Sequence, residues 1–264
     1  MAKWDWHATT WHDQDPVEIC RLIERAEIFA LVTPDRPKHG FLIGVVFTKG
    51  GEAIARVWWG GNEGVHVILH NENAHRLAPL LRELEGHREL TRGDACEDFI
   101  EAGGFDRMAD YWMRFAKARG LKINQQGDWV RGIGRTLYIG SRQSPVMLRI
   151  YEKGHKEGGN PDWYRLEVEI KPKGRSARMM AAYWEPGMAF NCSEWLVSGL
   201  KGLGWDHLQA TAIGTVYRPT DEDRARLWIV KQGGGVITRW IVEAGSVEAF
   251  YTEFEAMALE VAMQ

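Results

Sequence analysis

Apolar and polar residues alternate over short stretches through much of the chain, and in an extended strand such alternation sends successive side chains to opposite faces. The opening KWDWHATTWH interleaves Trp4 and Trp6 with Asp5 and His7 and predicts a first strand. The period then changes. Val17, Ile19, Ile23 and Ala26 recur at helical spacing, and Pro16 suits a first helical turn, so residues 16–29 predict a helix. Strand patterns return at 39–47, 52–59 and 64–70, separated by Gly50-Gly51 and Gly60-Gly61, which predicts an antiparallel meander. Asn73 is placed to cap an amphipathic helix through Leu84.

Four later stretches carry chemically useful side chains, three of them with charge where a core strand carries aliphatics. Read as a strand, 89–100 (ELTRGDACEDFI) aligns Arg92, Asp94, Cys96 and Asp98 on one face. The stretches TLYIGS (136–141), VMLRIYEK (146–153) and WYRLEVEIK (163–171) follow. In the second, Arg149, Tyr151 and Lys153 point one way and Met147, Leu148 and Ile150 are left to packing; in the third, Arg165, Glu167 and Glu169 share a face. Burying such charges unpaired is costly, so these strands read as the floor of an active site that handles a phosphate. The carboxylates of 89–100 are hard oxygen donors suited to Mg²⁺ or Mn²⁺, or else the polar face of an edge strand.

Between these strands, Met108, Tyr111, Trp112 and Phe115 form the core stripe of a helix stopped by Gly120. Residues 122–135 are polar and punctuated by Gly127, Gly132 and Gly134, which predicts a loop or hairpin. Its Arg131 and Arg135 sit where a nucleic-acid backbone can be gripped, and Arg142 in SRQS is a similar candidate. His66 and His70 share a strand face and are either metal ligands or half-buried histidines. The remainder predicts helices at 176–184, 193–203, 221–231 and from 236 to the end, with Gly245 as a break and Thr220 with Asp223 as a capping box.

With 264 residues, 45% of them hydrophobic and 13 Trp, the chain has ample material for a core. The expected class is α+β: a central, mainly antiparallel sheet with packed helices and a helical carboxyl-terminal third. Residues 1–174 are expected to form the catalytic domain and 175–264 a helical region packed on it. No apolar run is long enough for a membrane span, and the amino terminus lacks a signal-peptide pattern, so the cytoplasm is expected. Cys20, Cys96 and Cys192 are too scattered for a disulfide framework or thiolate zinc site. The net charge of −3 hides a gradient: residues 115–178 hold 14 Lys and Arg against 6 Asp and Glu, leaving 19 against 30 elsewhere. A local basic surface suffices for phosphate contact, although pairing with the acidic segments within the fold explains the gradient equally well.

Three motifs in fixed order, TRGDACEDF, TLYIGSRQSPVMLRIYEKG and WYRLEVEIK, resemble the Rep_trans family of replication initiation factors, which includes rolling-circle plasmid and phage initiators and related relaxases. The resemblance runs from about residue 64 to 171, and the helix near Trp228 is similar to the family's tail. Gly93 stands where the family usually has a hydrophobic residue, and Glu97 where an aliphatic is common. The resemblance implies a metal-dependent enzyme that nicks one strand of a plasmid, phage or mobile-element origin through a tyrosine, stays attached to the 5′ phosphate and later rejoins the strand. By matching motif, Tyr151 is the implied nucleophile, with Tyr138 its rival, and Asp94, Glu167 and Glu169 are the implied Mg²⁺ or Mn²⁺ ligands, with Asp98 nearby. Arg149 and Lys153 would stabilise the phenolate and hold the scissile phosphate. Arg92, Arg131, Arg135, Arg142, Arg165 and Lys171 are the expected DNA contacts. Implied partners are single-stranded or hairpin origin DNA, host helicase and polymerase, and a second copy in a homodimer, with no membrane. Two other readings stay open: an initiator or regulator that binds an origin without cutting, and a metal-dependent phosphodiesterase using water.

Overall fold

The alternating stretches become strands that join into one ten-stranded antiparallel sheet in the computed structural model, which describes residues 1–213 and 221–262. In chain order the elements are β1 (Lys3–Trp11), α1 (Pro16–Ala26), β2 (Leu31–Pro34), β3 (Ile43–Lys49), β4 (Glu52–Trp59), β5 (Val65–His70), α2 (Asn71–Arg82), β6 (Arg88–Ile100), α3 (Gly104–Ala118), β7 (Ile123–Asp128), β8 (Ile133–Gly140), β9 (Val146–Glu152), α4 (Lys153–Glu157) and β10 (Trp163–Ile170). After them come α5 (Arg175–Ala181), a 3₁₀ turn (Pro186–Asn191), α6 (Glu194–Lys201), α7 (Asp221–Ala244) and α8 (Val247–Ala262). The strand order is β2-β3-β4-β5-β1-β6-β10-β9-β8-β7. This is the expected α+β architecture. β2 has no counterpart in the sequence reading; it is a short, exposed edge strand ending in Pro34, and proline is confined to such edges because it cannot donate to a ladder.

Helix placement follows local chemistry. Asp15 caps α1, accepting from the Val17 amide at 2.8 Å, and Pro16 fills the first turn. The Asn73 cap is a correction: the cap position is three residues earlier, at His70, with Asn71 at a left-handed φ of 54° opening α2, and Asn73 Oδ1 instead accepts from Arg76 at 2.9 Å. Ile19 and Ile23 of α1, Leu77 of α2, Trp112 of α3, Ala181 of α5 and Leu196 of α6 join Trp4, Leu137, Ile150 and Leu166 of the strands in one apolar core. Each buried aliphatic side chain there contributes about 1.5–3 kcal/mol, so this face anchors the sheet and leaves the other free for chemistry.

Gly93 has a packing reason. A Cβ on it would lie 2.8 Å from the Trp4 ring, so the indole occupies the space that a side chain on β6 would take. Glu97, the second departure from the family pattern, lies 3.9 Å from the terminal amine.

Residues Met1–Val216 form one compact unit, which includes α5 and α6, and Tyr217–Gln264 a second. In the second, α7 runs unbroken through Gly233–Gly235, where the sequence reading expected a gap between 231 and 236. Glycine costs about 1 kcal/mol per position in a helix interior, and packing against α8 offsets it: Trp240 meets Phe250 edge-on and donates to Glu253 at 2.6 Å. The break comes at Gly245, as expected, with φ of 81°. The Thr220–Asp223 capping box lies outside the described residues. Among those residues no helix is long and apolar enough to cross a membrane.

Candidate active site

The polar face of the sheet is assembled by register. β10 lies between β6 and β9, so Glu167 stands opposite both Cys96 and Arg149, Glu169 opposite Asp94 and Met147, and Arg165 opposite Asp98 and Tyr151. β8 adds Tyr138 opposite Arg149 and Thr136 opposite Tyr151, and β1 adds Trp6 opposite Asp94. The four stretches singled out in the sequence thus lie side by side, as β6, β10, β9 and β8. Met147, assigned above to packing, faces this side with the charges and is buried among them.

Arginines bridge the carboxylates. Arg149 Nη2 donates to Asp94 Oδ2 at 2.7 Å and also to Glu167 Oε1. Arg92 donates to both oxygens of Asp94, at 2.9 and 2.6 Å, and lies 3.0 Å from Glu169 Oε2. Its guanidinium stacks over Trp6, 4.9 Å from the ring centroid. Asp94, Glu167 and Glu169 are all buried, and losing one partner of such a pair leaves an uncompensated charge, at a cost of about 3–5 kcal/mol.

Tyr151 lies inside this network. Its hydroxyl donates to Glu167 Oε2 at 3.0 Å, and the residue is only 7% exposed. Burial raises the phenol well above its ordinary pKa, against the opposing field of Arg165. A tyrosine so placed does not ionise near neutral pH unaided and needs its proton accepted as it reacts; Glu167 is in contact to do so. Tyr138 differs: its hydroxyl bonds the Gln126 amide oxygen at 3.0 Å. Both tyrosines line a cavity of about 210 Å³ with Arg92, Asp94, Arg149 and Glu167. Larger cavities exist, one of about 770 Å³ around Glu27 and Arg76, but their lining contains no tyrosine hydroxyl beside a carboxylate.

A divalent cation fits the donor set in part. Asp94 Oδ2 and Glu167 Oε1 are hard oxygens sharing one guanidinium nitrogen, so a Mg²⁺ or Mn²⁺ ion held between them would take the place of Arg149 Nη2. The Nε of Arg149 is buried without a hydrogen-bond partner, so the guanidinium is held at this point through Nη2. Glu169 is tied to Arg92 and Lys171.

Other expected site residues are placed elsewhere. Asp98 accepts from Arg165 Nε and Nη2 at 2.6 and 2.9 Å, from Trp163 at 3.1 Å, and pairs with Lys3 at 2.7 Å. Burial would raise its pKa, but the hydrogen bonds from Arg165 and Lys3 outweigh it and hold the carboxyl at about 2. Asp98, expected beside the metal ligands, faces Arg165 and Lys3 and does not line the cavity shared by the two tyrosines. Arg165 also donates to Asp5 at 2.6 Å and its side chain is 4% exposed, which corrects the expectation of a DNA contact. Arg135 is corrected likewise, since it donates to Glu152 and Asp106 and stacks on Phe105. Lys153 is not on the Tyr151 strand face: β9 ends at Glu152, and Lys153 opens α4 and pairs with Glu157. It lines a neighbouring cavity of about 510 Å³ with Lys3 and Trp163. Arg131 is exposed in the β7–β8 turn, 3.8 Å from Asp128. Arg142 lies over the Tyr138 ring at 5.9 Å, and Lys171 reaches its carbonyl at 3.2 Å.

His66 and His70 do not form a metal pair. His66 bonds Thr10 at 2.9 Å and stacks on Phe41, His70 abuts Trp6, and burial lowers both to about 4. Sequence reasoning missed Asp5 and Asn71, which line the cavity. A register shift between Trp4 and Trp6 interrupts the simple alternation of β1, and the left-handed turn at Asn71 has a signal only in its residue type, since asparagine tolerates that conformation better than most.

Residues 96–200 match the family model described as replication initiation factor. Among solved structures, the chain is similar to a rolling circle replication initiator protein from Geobacillus stearothermophilus, with a TM-score of 0.53 and 20% identity over 84% of this chain and 90% of that one. The likeness shows a shared fold. No curated protein matches the chain.

Proposed function

We propose, from the match to replication initiation factors over residues 96–200 and the chemistry of the polar face, that the protein starts rolling-circle replication by nicking and rejoining one strand of origin DNA. Tyr151 is the nucleophile in this reading. Its oxygen attacks the scissile phosphorus, Glu167 accepts the phenol proton, and the P–O3′ bond breaks. The tyrosine is left joined to the 5′ phosphate, and the leaving 3′ oxygen takes a proton from solvent, so that a 3′ hydroxyl is released to prime a host polymerase. The reverse attack by the 3′ hydroxyl restores the strand and returns the proton to the tyrosine. Arg149 and Arg92 are positioned to hold the phosphate oxygens once these displace their present carboxylate contacts. A bound Mg²⁺ or Mn²⁺ ion, held by Asp94 and Glu167, would supply charge stabilisation for the leaving oxygen.

The observation that carries this reading is the Tyr151–Glu167 hydrogen bond in a cavity walled by Arg92 and Arg149. Tyr138 opens on that cavity and on an adjacent one of about 440 Å³ lined by Lys122, Asn124, Gln126 and Arg142. The polar and basic lining suits the backbone of single-stranded or hairpin DNA leading into the site.

A labelled single-stranded origin oligonucleotide, incubated with the protein and Mg²⁺ or Mn²⁺, tests the proposal on a denaturing gel. The expected product is a shortened strand and a covalent protein–DNA band. Cleavage with no such band would establish a water-using phosphodiesterase instead, and binding with neither product a non-cleaving initiator.

A further inference from the structure

The start of β6 and the end of β1 bring together two histidines and a glutamate that the nicking chemistry does not use. The His12 amide donates to the His87 carbonyl at 2.9 Å, so backbone pairing fixes the two residues side by side. Their rings lie 4.8 Å apart, tilted by 37°. Glu89, opposite Thr10 in the ladder, turns its carboxylate between them: Oε1 is 3.4 Å from His12 Nε2 and 3.7 Å from His87 Nε2. One ligand atom from each of the three residues lies within 4.8 Å of the other two.

Those separations are long for N–H···O hydrogen bonds, which cluster near 2.9–3.0 Å. Both Nε2 atoms are buried and have no hydrogen-bond partner, a state that is costly for a polar nitrogen. Zinc bonds of about 2.0–2.1 Å at the tetrahedral angle place neighbouring ligand atoms roughly 3.3–3.5 Å apart. The two measured separations agree with that spacing to a few tenths of an ångström.

We infer that His12, His87 and Glu89 form a zinc site, separate from the carboxylates beside Tyr151, that clips the end of β1 to the start of β6. Imidazole nitrogens with one carboxylate suit Zn²⁺ better than Mg²⁺, which prefers oxygen and water. The fourth position is open to water, and Glu63, whose Oε1 is 4.0 Å from His12 Nδ1, lies on the ring's other nitrogen, where it can accept the hydrogen that a metal-bound imidazole carries there. Arg175 opposes the site in its present position. It donates to His87 Nδ1 at 3.0 Å and lies 3.4 Å from Glu89 Oε1, so it favours the tautomer with hydrogen on Nε2. Binding requires that proton to move to Nδ1 and Arg175 to withdraw. The arginine side chain is 68% exposed, so its withdrawal meets little resistance. Arg178, 3.5 Å from Glu89 Oε2, remains to orient the carboxylate through the oxygen the metal does not need.

The test is a Co²⁺ and Zn²⁺ titration of chelator-treated full-length protein in excess Mg²⁺, which occupies oxygen-only sites. The expected result is one Co²⁺ per chain with a tetrahedral visible spectrum, displaced by Zn²⁺. His12→Ala and Glu89→Ala should each weaken binding at least tenfold, and Arg175→Ala should tighten it. A tetrahedral spectrum unchanged in both His12→Ala and Glu89→Ala would overturn the proposal, as would no spectrum in the parent protein. Should the variants not fold, imidazole nitrogen shifts of the parent protein decide: Zn²⁺ should move Nε2 of His12 and His87, and unmoved resonances would refute the site.

Discussion

Tyr151 and Glu167, on neighbouring strands, are joined by a 3.0 Å hydrogen bond inside a network of arginines and carboxylates. Because burial raises the phenol's pKa, the proposed reaction depends on the carboxylate beside it as the base. Glu167→Gln keeps the shape and removes the basicity. Single-turnover cleavage of the origin oligonucleotide should slow by about 10²–10⁴-fold, the usual worth of a positioned base, while the covalent product still forms. A rate within twofold of the parent would remove Glu167 from that role.

The same face shows how far the sequence could be read. Alternation in WYRLEVEIK and TRGDACEDF was enough to place Glu167, Glu169 and Asp94 on one side, because a strand period of two needs no tertiary information. What alternation cannot reveal is which opposite charge each residue meets. Asp98 and Arg165 looked like ligand and DNA contact, yet the register sets them directly opposite each other and they neutralise one another. Lys153 was misplaced for a different reason: the chain leaves β9 one residue before it, and a strand's end is not written in its alternation. β2 was missed because an exposed edge strand has no buried face to impose a pattern.

That pairing makes a structural prediction. Asp98→Ala leaves Arg165, whose side chain is almost fully buried, with Asp5 but without its bidentate partner, and should lower stability by about 1.5–3 kcal/mol. Urea unfolding measures it. The salt dependence of DNA binding by the folded fraction should be unchanged, whereas a steeper salt slope would indicate that the freed Arg165 reaches a phosphate.

Gly93→Val would restore the family's preference for a hydrophobic residue and should destabilise this chain. The added atoms meet Trp4, whose ring lies 2.8 Å from the position of a Cβ. Overpacking of this kind costs about 1–3 kcal/mol. Pairing Gly93→Val with Trp4→Leu should recover part of the loss, and no recovery would mean that the indole is not the obstacle.

Acid should weaken the fold before it titrates the carboxylates. His7 is lowered to about 3 by burial and by Arg82 and Arg88, and burial lowers His66 and His70 to about 4. The unfolded chain binds these protons near pH 6.5 and the folded chain does not. Their contribution is therefore complete above pH 6.5 and is lost as pH falls toward 4 and then 3, with a slope of up to about 1.4 kcal/mol per pH unit for each histidine. Urea midpoints between pH 7 and 4.5 should fall steadily; a flat profile would place charged histidines in the folded state.

The most direct measurement is the identity of the tyrosine that carries DNA. Covalent adduct from the parent protein, digested and sequenced by mass spectrometry, should place the nucleotide on Tyr151. Tyr151→Phe should abolish the adduct, and Tyr138→Phe should retain it. An adduct on Tyr138, or one that survives Tyr151→Phe, would contradict the assignment of the nucleophile.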